Sequence, residues 1–247
     1  MKRLPVMTIV IALCCILCGC SDTSDAENTV AEADAAATAE NAIAVVADSA
    51  TAQYFTDDAV ADADIEQILL AGINTPSSMN SQPWHFTAVT DASILQQIAD
   101  DMSAGMPFGG PEETPDVDSS DGDAETAPEQ ASTTAPTKAD IADAPLAIVI
   151  SCTESNELDA GLACQSMAIE AQLLGYGTKI VSSPTIALNG TKQAEYKELL
   201  GIPESQAVIT VLLVGVEDTS VDETADGYTA ATERNPFDEM VTYVKPE

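Results

Sequence analysis

The sequence predicts a layered domain of helices packed on a sheet, α/β or α+β, of roughly 200 residues. Three observations predict it. Two apolar runs of strand length, residues 144–152 and 207–216, are continuous enough to be central strands. Helical patterns with one apolar face alternate with extended stretches. Residues 108–140 are rich in Gly, Pro, Ser, Thr and acid, and neither flank alone is long enough to build a covered sheet. That stretch is therefore expected to be a disordered insertion inside one domain, 41–247, and not a linker between two.

The elements follow in order. "AIAVVA" at 42–47 begins a short helix. "DADIEQILLAGIN" places Ile65, Ile68, Leu69 and Ile73 on one helical face. Asp62 or Asp64 suits its start, and Asn74-Thr75-Pro76 ends it. "WHFTAVT" alternates as a strand, and "DASILQQIADDM" returns to helix with Asp91 as its cap. After the insertion, "APLAIVISC" is a strand. "DAGLACQSMAIEAQLLGYG" is a helix, with Asp159 at its cap and Gly175 to Gly177 at its exit. "TKIVSSP" is a short extended piece, "TKQAEYKELLGI" a helix ending near Gly201, and "AVITVLLVGV" the second apolar strand. The tail "ATERNPFDEMVTYV" carries a modest apolar pattern.

The chain has 41 acidic and 8 basic residues, a net charge of −33. Such a balance excludes nucleic acid and anionic lipid as partners of a basic face. Residues 1–20, "MKRLPVMTIVIALCCILCGC", have a basic start, a short apolar core and small residues at the end. This is an export signal. Its ending, Leu17-Cys18-Gly19-Cys20, resembles a bacterial lipobox, which implies cleavage after residue 19 and lipid on the Cys20 thiol. A plain signal peptide or an anchoring helix is the alternative. Residues 20–40 then read as the lipidated cysteine and an acidic spacer, and the protein as tethered to a membrane outside the cytoplasm. Of the six cysteines, Cys152 and Cys164 would remain, either as buried thiols or as a bridge. With a single histidine and no metal-ligand spacing, no metal site is expected.

The stretch "PSSMNSQPWHF", residues 76–86, holds the only Trp and the only His. Pro76 and Pro83 stiffen the backbone between them. Ser77 and Ser78 offer hydroxyls, and Asn80 and Gln82 offer donors and acceptors together. That set suits an uncharged, flat, edge-rich ligand. It equally suits a loop whose side chains bond their own backbone. Trp84 is expected to anchor the loop in apolar packing. His85 is expected to face solvent or a neighbour, with no catalytic role.

The order of these pieces resembles the nitroreductase family of FMN-dependent oxidoreductases. The resemblance rests on the Phe-Thr-acid opening at Phe55, the Pro-Ser-Ser-x-Asn-x-Gln-Pro-Trp loop, Ala144-Pro145 and the Asp-x-Gly helix from Asp159 to Gly177. Leu200 to Pro203, and Arg234 before Pro236, add to it. It implies an α+β fold, a mixed sheet flanked by helices, usually an intertwined homodimer. It also implies a bound flavin that carries the reaction, with no catalytic side chain, and a small oxidised organic substrate. Flavin contacts are then expected from Thr51, Gln53, Ser77, Ser78, Asn80 and Gln82, and a phosphate contact from Arg234. The sequence departs from the family just before Phe55. Where the family carries Arg-Arg-Ser-x-Arg, this chain has Ser49, Ala50, Thr51 and Gln53, so every cation there is replaced. FMN, or another flavin such as riboflavin, is the expected cofactor. An exported member would draw electrons from a membrane or extracellular carrier. The alternatives are a non-catalytic flavin- or ligand-binding lipoprotein on the same fold, and a surface lipoprotein with an empty pocket.

Overall fold

Residues 44–46, 51–105, 140–221 and 234–246 are described by a computed structural model. The segments read as an export signal and an acidic spacer, with Cys20, Ser49, Ala50 and the expected 108–140 insertion up to residue 139, lie outside the described residues. Asp140, read as the last residue of the insertion, belongs to the fold. Its carboxylate accepts the Ile141 amide at 2.7 Å, and Asp143 accepts the Asp140 amide at 2.7 Å. This reciprocal pair closes a 3-10 turn at Ile141–Asp143.

The elements in chain order are α1 (Asp62–Ile73), β1 (Trp84–Val89), α2 (Ala92–Gly105), β2 (Leu146–Thr153), α3 (Glu157–Leu173), β3 (Gly177–Val181), α4 (Thr185–Leu188), α5 (Gln193–Leu200), β4 (Gln206–Gly215) and α6 (Phe237–Met240). The fold is α+β. Four strands form one sheet in the order β1-β2-β4-β3. A mixed sheet was the expectation, but all three ladders among the described residues are antiparallel. The connection after β1 explains the first of them. The chain leaves at Val89 and re-enters opposite it at Ala147, so β2 must run back along β1.

The two apolar strands are buried on both faces because helices cover both. Leu146, Ile148, Ile150 and Cys152 pack with Ile68, Ala160, Cys164, Met167 and Ala171 under α1 and α3. Ala147 and Val149 pack with Leu95, Ile98, Leu188 and Tyr196 under α2, α4 and α5. A register shift at Ile150/Ser151 lets β4 switch parity. Val211 and Leu213 face the α2 side, and past the bulge Val208 does so too, while Ile209 turns to the α3 side.

Helix ends differ from the expected caps in two places. The N-cap of α1 is Ala61, with no side-chain cap. The Tyr176 hydroxyl accepts the Ala61 amide at 3.4 Å and donates to Asp64 at 2.7 Å. The bond to Asp64 raises the Tyr176 pKa above its ordinary value. The N-cap of α3 is Asn156, and Asp159 lies inside the first turn. Asp91 does start α2 as expected. It accepts both the hydroxyl and the amide of Ser93, which lower its pKa. Helix α3 closes in a Schellman end, Tyr176 N–H to Ala171 O at 2.9 Å and Gly175 N–H to Gln172 O at 3.0 Å.

Two helix contacts hold the layers. At Gly72, a Cβ would stand 2.8 Å from the buried Met167 side chain, so only glycine lets α1 approach α3 this closely. On the other face, Lys192 reaches Asp101 at 2.8 Å, and the buried Tyr196 donates to the same carboxylate at 2.7 Å. The Lys192 bond, then the Tyr196 bond, lowers the Asp101 pKa. Cys152 and Cys164 are free and buried in the α3-side layer. Burial pushes the Cys164 thiol up to about 12.

Candidate flavin site

Two polar regions lie along α3, one at its N-terminal end and one beside its middle and C-terminal half. The first is the loop from Ser77 to Gln82. Its backbone is unusual: Met79, Asn80 and Gln82 have φ of 52°, 55° and 47° without being glycine. Side chains with a Cβ rarely adopt this region, and such residues persist where other contacts determine them. Within the loop, Asn80 N–H bonds to Ser77 O at 3.0 Å, and Ser81 N–H to Ser78 O at 3.0 Å. The Ser77 hydroxyl accepts Gln82 N–H at 3.0 Å, and the Gln82 amide donates to Asn80 O at 3.4 Å. The loop therefore does bond its own backbone, through Ser77 and Gln82. Ser78, Asn80, Ser81 and Gln82 remain exposed, Ser77 is half-buried, and Met79 is 96% exposed at the apex.

The exit of the loop is pinned to the sheet. Pro83 O accepts Thr153 N–H at 3.3 Å and the Gln206 amide at 3.2 Å. Gln206 in turn accepts the hydroxyl of Ser151, which is fully buried, at 2.8 Å. Trp84 then stacks on Phe86 with ring centroids 6.0 Å apart, the apolar anchor expected of it. His85 is half-buried opposite Ser151 on β2.

The second region is a cleft of about 160 Å³ lined by Thr51, Gln165, Gln172, Thr178 and Arg234, with Ala168 and Ile180. The segment carrying Thr51 reaches it by lying against β3. Ala52 N–H bonds to Thr178 O at 2.9 Å, and Gly177 gives the room, since a Cβ there would stand 2.9 Å from that of Ala52. Gln172 donates to the Thr178 hydroxyl at 2.7 Å. Gln53 donates to Thr51 O at 2.8 Å, which fixes its amide orientation. Its Oε1 is enclosed without a hydrogen-bond partner among the described residues. Apart from Arg234, this lining is neutral.

The chain thus brings Thr51 and Arg234 together, with Gln53 bonded to Thr51, and separately brings together Ser77, Ser78, Asn80 and Gln82. No loop residue lines the cleft. Asp159, beside the loop, and Gln172, in the cleft, are about 20 Å apart along α3 at ~1.5 Å per residue. Sequence reasoning missed Gln165, Gln172 and Thr178, which look like ordinary polar positions of a helix and a strand. It also made Asp159 a helix cap, whereas its carboxylate accepts the Ser78 amide, at 3.3 and 3.2 Å to the two oxygens. Among the described residues no group of three His, Cys, Asp or Glu is arranged to hold a metal ion.

A three-layer α+β domain with a strained polar loop at one end of its central helix is a fold seen before. The model of the nitroreductase family matches residues 50–216, more than half of the chain. The chain belongs to the nitroreductase family. A nitroreductase with bound FMN from Desulfitobacterium hafniense DCB-2 has a TM-score of 0.60 at 21% identity, covering 83% of this chain and 98% of that one. A nitroreductase with bound FMN from Bacteroides fragilis NCTC 9343 has a TM-score of 0.61 at 18% identity, with the same coverage. At these identities they speak for the fold. A protein of Archaeoglobus fulgidus, named for NADH dehydrogenase or NAD(P)H nitroreductase activity, is 37% identical over 54 residues. That match spans 22% of this chain and 31% of that relative's length.

Proposed function

We propose that the chain is a flavin-dependent oxidoreductase that reduces small oxidised organic molecules through a bound flavin. The observation that carries this reading is the loop Ser77–Gln82, left-handed at Met79, Asn80 and Gln82, with Ser78, Asn80 and Gln82 exposed. Ser77, Ser78, Asn80 and Gln82 supply the hydroxyl and amide groups that a flavin ring edge and a hydroxylated tail require. Thr51, with Gln53 bonded to it, adds neutral polar groups, and Arg234 is the cation that lines the cleft, where a phosphate would meet it. This donor set fits a flavin ring and its hydroxyls. At the phosphate end it offers one arginine among neutral groups. FMN, as in the structural neighbours, is the first candidate, and riboflavin the second. When bound, the flavin supplies the electron transfer, and the protein's residues hold and orient it.

The split of the polar groups between two regions along α3 favours a homodimer whose second copy completes each site. The surface for it is apolar. Leu158, Leu162, Ile169 and Leu173 recur at helical spacing along α3, and Leu158 is 77% exposed. Phe237, Met240, Tyr243 and Val244 of the tail are exposed as well.

The reading includes a lipid anchor at Cys20, outside the cytoplasm, with residues 20–40 as spacer and the acidic insertion as a solvated appendage. The motif at Leu17–Cys20 supports it. One observation favours a second reading, a non-catalytic flavin-binding lipoprotein: Thr51 and Gln53 stand where the family carries Ser and Arg, so the phosphate end is weak.

The test is an absorption spectrum of the purified chain followed by anaerobic reductive titration. A flavin spectrum that bleaches and is reoxidised by a nitroaromatic or quinone supports the oxidoreductase. A bound flavin that does not turn over supports the second reading. No flavin uptake at millimolar ligand defeats both.

A further inference from the structure

The bonds inside the Ser77–Gln82 loop set its turn but not its orientation on the domain. Its exit is held at Pro83, and its entry by the end of α1, where Thr75 donates to Ala71 O at 3.0 Å. Between these points, among the described residues, the hydrogen bonds from the loop to the rest of the domain are those of Ser78 N–H to the two oxygens of Asp159. Asp159 is 8% exposed, in the first turn of α3.

We infer that Asp159 is the positioning residue of this loop, fixing the orientation in which Ser77, Ser78, Asn80 and Gln82 meet a ligand. A carboxylate suits this role. It is an acceptor with two oxygens, so it holds the Ser78 amide across a range of angles. The N-terminal end of α3 stabilises its charge, so the anion needs no cation beside it. An aspartate three positions into a helix is ordinarily spent on its own helix end. Here it is spent on a segment 81 residues away in sequence. The inference rests on the flavin reading for its effect on affinity, but not for its effect on the backbone.

The test uses the full chain and three variants, Asp159→Ala, Asp159→Asn and Asp159→Ser. Amide hydrogen exchange is followed over residues 76–84 and, as a control, over 165–173, alongside fluorescence titrations with FMN and riboflavin. Losing a hydrogen bond to a charged group should speed loop exchange and weaken both flavins by about tenfold or more in Asp159→Ala. Exchange over 165–173 should stay unchanged. Asp159→Asn, which keeps an acceptor of the same size, should restore both readouts to within about threefold of the unmutated chain. If Asp159→Ala fails to fold, Asp159→Ser, whose hydroxyl is tolerated in a first turn but is too short to reach Ser78, is expected to behave as described for Ala. Unchanged loop exchange in a folded Ala or Ser variant would overturn the inference. So would an Asn variant as impaired as Ala. If neither flavin binds the unmutated chain, the flavin reading fails while the exchange comparison still decides the role of Asp159.

Discussion

The loop Ser77–Gln82 and the cleft around Thr51 and Arg234 are built in opposite ways. The loop is one continuous segment whose geometry is forced by left-handed backbone, two flanking prolines and a buried carboxylate. The cleft is assembled from residues 51, 165–172, 178–180 and 234, each ordinary in its own element. The two constructions tolerate change differently. A strained loop keeps its residues because few others hold that backbone. A cleft lined from several segments does not depend on any one stretch of chain: Thr51, Gln165, Gln172, Thr178 and Arg234 come from four separate segments.

Arg234→Ala strikes the cleft alone and should have the largest effect on a ligand. A charge-assisted bond to phosphate contributes about 1.5–3 kcal/mol, so FMN should weaken by roughly tenfold to a hundredfold. Riboflavin should be nearly unaffected in the same fluorescence titration. Equal loss of both flavins would mean that Arg234 supports the fold and not the phosphate.

Gly72→Val, on α1, strikes the packing of α1 on α3, the helix that both regions share. The added carbons meet Met167 and, at 3.1 Å from the Cβ position, Phe86. Overpacking of this kind costs about 1–3 kcal/mol, so the thermal midpoint should fall by several degrees. An unchanged midpoint would mean that α1 and α3 separate at little cost.

Asn80→Ala strikes the loop alone. Loss of neutral hydrogen bonds worth about 0.5–1.5 kcal/mol should weaken FMN and riboflavin by the same factor, roughly two- to tenfold. A selective loss of FMN would move the phosphate from the cleft to the loop.

The smallest effect is expected far from both regions. Asp101 has its pKa lowered below the ordinary 3.8 by Lys192 and Tyr196. A lowered carboxylate contributes stability that is present above the ordinary value and is lost as pH falls through the folded one. The midpoint difference between the unmutated chain and Asp101→Asn should therefore be small at neutral pH and shrink further below pH 3.8. A difference that grows on acidification would contradict the sign.

Much of this fold was legible in the sequence because its helices and strands carry strong periods. The boundaries of α1, β1 and β4 lie within a residue or two of the patterns that indicate them. Helix α4, four residues long, is too short to show a period. The bulge in β4 is hidden because a continuous apolar run has no alternation to break. The loop was legible as a chemical set, since its prolines and amides are adjacent in the chain. Its anchor was not: an aspartate in a first turn reads as a helix cap, and only the folded chain brings Ser78 to Asp159. The cleft was legible at Thr51 and Arg234 through the family pattern alone, whereas Gln165, Gln172 and Thr178 are distant in sequence and give no local signal.

The proposed flavin site is divided along α3 and completed by a second chain. The most direct measurement is light scattering coupled to flavin absorbance on the delipidated chain at micromolar concentration. The account predicts that flavin absorbance travels with a species of twice the chain mass, about 51 kDa less whatever signal is removed. Flavin absorbance travelling with a clean monomer would contradict it, because one chain would then bind the ligand with half of the proposed groups.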